Sequence, residues 1–133
     1  MDGQDGNRML TVVPLLQVND LPGALDYYGD VFGFATTFSW PEDGEPKWAM
    51  VSRDLVHVML TIDLGTSTES FIAEKGNGVV LYVIVEDVEA LYDELTDRRA
   101  IIVQELVDYG GRQQFSVADP NGYVLAFSAP FVT

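Results

Sequence analysis

Apolar and polar positions alternate between two regimes along this chain, and the change of period marks its elements. "LTVVPLLQV" is a short apolar run closed by Asn19 and Asp20, which reads as a buried strand. Pro14 inside it has no amide hydrogen, so the strand is expected at a sheet edge or a bulge. In "DLPGALDYYGDVFGF" the apolar residues Leu21, Ala24, Leu25, Tyr28 and Phe32 recur at helical spacing. Asp20 sits where a cap belongs and Gly33 where the helix should stop.

The same pattern returns in "GVVLYVIVEDVEALYDELTDRRA", with a strand-like run from Val79 to Val85 and then Val88, Leu91 and Leu95 on one helical face. An offset of 67 residues pairs Val12 with Val79, Val13 with Val80, Val18 with Val85, Asp20 with Asp87, Asp26 with Asp93, and Asp30 with Asp97. These are 6 identities in 19 aligned positions, 12–30 against 79–97, where chance would give roughly one, so the chain reads as a tandem repeat. Continued without a gap, the offset sets Trp48 against Phe115, Met50 against Val117, Val58 against Leu125 and Leu60 against Phe127. Further strands are expected in "KWAMVSRDLVHVMLTI" and "RQQFSVADPNGYVLAF", each folded at a turn, "SRDL" or "DPNG". Each half is thus strand, helix and about three more strands, an order that does not suit a doubly wound parallel sheet. "SWPEDGEP" and "GTSTESFIAEKGNG" read as loops, the second joining the halves.

At 133 residues the chain fits one domain, with residues 1–9 a loose tail and residues 10–133 the domain, its halves at about 10–65 and 77–130. With 21 acidic against 7 basic residues, a net charge of −14 makes nucleic acid and anionic membrane poor partners. No cysteine is present, which excludes disulfides, thiolate metal sites and a cysteine nucleophile. "MDGQDGNRML" lacks the features of a secretory signal and no apolar run reaches spanning length, so a cytoplasmic protein is expected. No phosphate-binding loop or catalytic acid pair is found.

"PLLQVNDLPGALDYYGDVFGF" and "YGGRQQFSVADPNGYVLAF", together with the repeat, resemble the vicinal oxygen chelate superfamily. That group contains glyoxalase I, bleomycin-resistance proteins, fosfomycin-resistance enzymes and extradiol dioxygenases; the resemblance is nearest to the metal-free bleomycin-resistance-like members and runs from Leu10 to Pro130. It implies an α+β fold of two tandem βαβββ modules that form an open, cup-shaped mixed β-sheet barrel with helices outside. It implies little about activity, because the superfamily hosts isomerases, transferases, oxygenases and proteins that catalyse nothing. Enzymes of the family carry His, Gln or Glu metal ligands on the first and last strands of each module. Those positions map here to Val13 and Met59, and to Val80 and Ala126, none of which suits a hard divalent cation.

His57, the one histidine, stands two residues before Met59 and so shares its face. It is read as a ligand contact, an ordinary strand histidine or the centre of a displaced metal site. Alternation gives the cavity face Val13, Leu15 and Gln17, then Val80, Tyr82 and Ile84, then Val124, Ala126 and Ser128. This is either an apolar pocket wall with polar handles or a core filled by its own side chains. Trp40, Trp48, Tyr109 and Phe115 fall at strand ends, where flat rings can stack on planar ligands or make a dimer contact. Trp48 can equally be core. The acids of "PEDGEP" can steer a cation, or simply be an acidic loop. Arg112 can meet an anionic ligand or be a hairpin residue, and Arg98 and Arg99 suit a helix end.

The leading expectation is a metal-free binder without cofactor, sequestering an aromatic or cationic antibiotic in a cavity at a homodimer interface. Its expected ligand-binding residues are Leu15, Gln17, Trp40, Trp48, His57, Met59, Tyr82, Tyr109, Arg112 and Ala126. The alternatives are a metal-dependent glyoxalase-like lyase or dioxygenase with its metal near His57, and a regulatory or protein-interaction domain.

Overall fold

Two β-sheets of equal size share a single core in the computed structural model, which describes residues 6–62 and 78–130. The first half runs β1 (Leu15–Gln17), α1 (Leu21–Asp30), β2 (Ala35–Trp40), β3 (Trp48–Arg53) and β4 (Val56–Thr61). The second runs β5 (Val80–Ile84), α2 (Val88–Asp97), β6 (Ile101–Tyr109), β7 (Arg112–Ala118) and β8 (Val124–Ser128). Each sheet has four strands, ordered β1-β4-β3-β2 and β5-β8-β7-β6, with one parallel pair in each and no closed barrel. These are the two βαβββ modules that the repeat implied. Residues 1–5 of the expected tail and residues 63–77 of the joining loop lie outside the described residues. No helix among the described residues is long and apolar enough to cross a membrane.

The repeat is exact in the helices and in the parallel strand pairs. Asp20 caps α1 by accepting from Gly23 N–H at 3.1 Å, and Asp87, 67 residues on, caps α2 by accepting from Ala90 N–H at 3.0 Å. Leu15 pairs with Met59 as Tyr82 pairs with Ala126. In β3 and β7 the ungapped offset fails. Trp48 stands opposite Thr61, while Gln114, not Phe115, stands opposite Ser128, the equivalent of Thr61. The turn between the last two strands is one residue longer in the second half, which shifts β7 by one. Because side chains alternate along a strand, that shift puts Trp48 and Phe115 on opposite faces.

The opening strand is shorter than expected. Pairing begins at Leu15, leaving Val13 in the chain ahead of it. Pro14 still offers its carbonyl to Met59 N–H at 2.9 Å but has no N–H to extend the ladder. β1 is an edge strand, as the proline implied.

The core forms where one face of each sheet meets the helices. Leu16, Val51, Val58 and Leu60 come from the first sheet, Phe115, Val117, Leu125 and Phe127 from the second, and Leu21, Tyr28, Val88 and Leu95 from the helices. Phe115 and Phe127 stack at 5.2 Å, and Phe32, just past α1, meets Phe127 at 6.0 Å across the repeat. Full burial of each such ring is worth about 1.5–3 kcal/mol. The two halves therefore share one core.

Candidate functional site

The opposite faces of the sheets, turned away from this core, carry the residues singled out in the sequence. On the first sheet, cross-strand register brings together Trp40, Trp48, Met50, Ser52, His57, Met59 and Thr61, with Leu15 and Gln17 on β1 beside them. Trp40 lies opposite Trp48 and is 64% exposed. Met59 lies between Leu15 and Met50. His57 faces Ser52 directly, and Ser52 Oγ and His57 Nδ1 share a 2.6 Å hydrogen bond that fixes the ring and leaves Nε2 free of that contact. Gln17 Nε2 donates to Ile62 C=O at 3.4 Å, and its Oε1 is buried with no hydrogen-bond partner among the described residues.

On the second sheet the corresponding face carries Val80, Tyr82 and Ile84 from β5, Ala126 and Ser128 from β8, and Arg112, Gln114 and Ser116 from β7. Tyr82 is half exposed, whereas Ala126, between Tyr82 and Ser116, is buried. Tyr109 and the partly buried Arg112 face each other across the β6–β7 hairpin. A chain of amides and hydroxyls crosses this sheet. Gln104 Nε2 donates to Tyr109 Oη at 2.9 Å, while Gln104 Oε1 accepts from Gln114 Nε2 at 3.0 Å and from Ser116 Oγ at 3.1 Å.

The ten expected contacts therefore fall into two groups. Leu15, Gln17, Trp40, Trp48, His57 and Met59 share one face, and Tyr82, Tyr109, Arg112 and Ala126 share the other. One chain does not bring the groups together, because the core and helices lie on the far side of each sheet. Phe38, Met50, Ser52, Gln104, Gln114 and Ser116 join them without having been singled out in the sequence. Alternation around the "SRDL" turn would have found Met50 and Ser52. Phe38 and Gln104 sit beside register shifts in β2 and β6 that simple alternation cannot follow.

The sequence profile of the Glyoxalase/Bleomycin resistance protein/Dioxygenase superfamily matches residues 9–127. The chain belongs to this superfamily. Among solved structures it is similar to TioX from Micromonospora sp. ML1, at 27% identity and a TM-score of 0.71, covering 93% of this chain and 98% of that one. The bleomycin-binding protein from bleomycin-producing Streptomyces verticillus, solved with copper(II)-bleomycin, is 21% identical with a TM-score of 0.68, covering 92% and 98%. UcmS2 is 20% identical with a TM-score of 0.76, covering 92% and 99%. The last two likenesses concern the fold. No curated protein sequence matches the chain.

At the four positions to which the resemblance maps the family's metal ligands, the side chains present do not suit a hard cation. Val13, Val80 and Ala126 have no donor atom, and Met59 offers only a thioether, a poor ligand for a hard cation. Among the described residues no three His, Asp or Glu side chains are grouped to hold an ion.

Two titratable clusters lie on the core side, where the halves meet. Tyr28 Oη donates to Asp119 Oδ2 at 2.9 Å, and Asp119 Oδ1 accepts from the N–H groups of Asn121 and Tyr123 at 2.8 and 2.9 Å. Burial pushes the Asp119 carboxyl up from its ordinary value, with the hydrogen bonds pulling the other way, and pushes the Tyr28 phenol up as well. Arg53 grips Glu94 with both terminal nitrogens, at 3.0 and 3.1 Å, and lowers the Glu94 carboxyl. These clusters join the modules and do not enter the outward faces.

Proposed function

We propose that this chain is a metal-free small-molecule binding protein that sequesters an aromatic or cationic antibiotic in a cup completed by a second copy of itself. The observation that carries this reading is the outward placement of two ring-bearing faces. Trp40, Phe38 and Leu15 on one sheet, and Val80, Tyr82 and Ile84 on the other, are large apolar side chains left substantially exposed. Exposed apolar patches of this kind mark association or ligand surfaces. A twofold pairing would set the first face of one copy against the second face of the other, enclosing the ligand between Trp40, Trp48 and His57 on one wall and Tyr82, Tyr109 and Arg112 on the other.

Two further observations support it. The bleomycin-binding protein of similar fold was solved with copper(II)-bleomycin, and a net charge of −14 favours a cationic guest. Here the ligand would bring any metal with it.

Titration calorimetry with copper(II)-bleomycin and a panel of aromatic and cationic antibiotics tests the reading, together with sedimentation of the free protein. Micromolar binding at one ligand per cup, by a dimer, is expected. No binding across the panel and no protection of cells expressing the protein would remove its support. Thermal-shift titration of chelator-stripped protein separates it from a displaced metal site around His57. At about a hundredfold excess over the dissociation constant, a bound transition metal adds about 2.7 kcal/mol. A saturable shift beyond a magnesium control, lost in His57→Ala, would favour the enzyme.

A further inference from the structure

The two helices are equivalent under the repeat, yet the seams they make with the opposite half are not. At the first seam three tyrosines close the joint. Tyr27 Oη donates to Ala118 C=O at 2.9 Å and Tyr28 Oη donates to Asp119. Tyr123, one residue before β8, reaches the free edge of β1, where its hydroxyl accepts from Gln17 N–H at 3.2 Å and donates to Gln17 C=O at 3.0 Å. At the second seam the equivalent positions, 67 residues away, are Glu94, Leu95 and Val56. The Arg53–Glu94 pair crosses it, and among the described residues no hydroxyl reaches the strand edge. A cleft of about 610 Å³ opens there, bordered by Phe34, Val56, Ile84, Leu91 and Phe127, with the exposed carboxylates of Asp54, Glu86 and Asp87 on its wall.

The strand edges explain what such a cleft would hold. Val18 N–H donates to Thr61 C=O and Val85 N–H to Ser128 C=O, so the alternation of a parallel ladder turns the N–H and C=O of Gln17 and of Ile84 away from their partner strands. At Gln17 both groups are taken by the Tyr123 phenol. At Ile84, the equivalent residue, both lack a partner among the described residues. One half of the molecule thus contains the group for which the other half has space and a matching donor and acceptor.

We propose that this inter-module cleft is a second binding site, and that it takes a neutral or cationic small molecule bearing a phenol. The ring fills the apolar space between Val56 and Leu91, and the hydroxyl donates to Ile84 C=O and accepts from Ile84 N–H as Tyr123 does at Gln17. The acidic wall disfavours an anionic phenol. The cleft lies on the helix side of the sheets and shares with the outward faces only the edge residue Ile84, whose backbone it uses, so it does not rest on the antibiotic reading.

The test is an amide-shift titration of the full chain by nuclear magnetic resonance, using 4-ethylphenol and, as the hydroxyl-free counterpart, ethylbenzene. A saturable shift centred on Ile84 N–H is expected with the phenol, and binding weaker by about tenfold or more with ethylbenzene, the loss that one hydrogen-bonding group produces. Val56→Tyr, which installs the residue found at the equivalent position, should abolish the shift and raise the melting temperature; if that variant does not fold, Leu91→Trp fills the same space. No saturable shift at Ile84, equal response to both compounds, or undiminished binding in the filled variant would overturn the proposal. Shifts confined to Trp40 and Tyr82 would overturn it too, while leaving the cup reading standing.

Discussion

Tyr28 and Asp119, 91 residues apart, share a buried 2.9 Å hydrogen bond that ties the helix of one half to the final turn of the other. Removing the hydroxyl in Tyr28→Phe leaves a buried carboxylate oxygen short of a donor, at a cost of about 1–3 kcal/mol. Urea denaturation should show a lower midpoint with an unchanged slope.

The same carboxylate carries a signed dependence on pH. Burial raises its pKa above the ordinary 3.8, so the folded chain holds this proton more tightly than the unfolded one. Its contribution to stability is complete below the ordinary value and is lost as pH rises through the raised one. Asp119→Asn keeps an oxygen for the Asn121 and Tyr123 amides and removes the ionisation. The variant should therefore gain on the wild type as pH rises from about 3 to 7, read as the difference between their melting temperatures. A difference that stays flat across that range would refute the assignment.

Arg53 and Glu94 carry the opposite sign. The guanidinium holds the Glu94 carboxyl below its ordinary 4.5, so this stabilisation is present above that value and is lost as pH falls through the lowered folded one. Both side chains are 31% exposed, which limits the effect. Arg53→Met should cost about 0.5–1 kcal/mol at neutral pH, and less in molar salt.

Gly33 adopts φ +77°, and a Cβ there would lie 3.0 Å from the guanidinium nitrogens of both Arg53 and Arg98. Gly33→Ala should destabilise by about 1 kcal/mol or more. Thermal unfolding of Gly33→Ala beside Arg53→Met separates backbone strain from disturbance of the ion pair. Equal losses that do not add would assign the whole effect to the pair.

Trp40→Ala should weaken ligand binding at least tenfold while changing the stability of the free protein by no more than about 0.5 kcal/mol, since the ring is largely exposed. Val80→Asp, on the other outward face, should shift a dimer to monomer in sedimentation. Wild-type affinity in both variants would remove the outward faces from the site.

Much of this fold was legible because the repeat is written twice. Asp20 and Asp87 mark both helix starts, and the 67-residue offset places both parallel strand pairs. Alternation also set Leu15 with Gln17, and Tyr82 with Ile84, on their shared faces. Hydropathy alone does not mark the outward face of β5, because Val80, Leu81, Tyr82, Val83 and Ile84 are all apolar; the 67-residue offset, which sets Tyr82 against Leu15, is what selects Val80, Tyr82 and Ile84. Trp48 was matched to Phe115 because an added turn residue is invisible to an ungapped alignment. Arg53 and Glu94 lie 41 residues apart and share no local pattern, so only the tertiary fold could pair them.

The unlike seams give the molecule a one-sided response to its surroundings. Dissolved ions screen the partly exposed Arg53–Glu94 link but hardly reach the buried Tyr28–Asp119 bond. A rise in ionic strength therefore weakens the ion-paired flank of the molecule and spares the other.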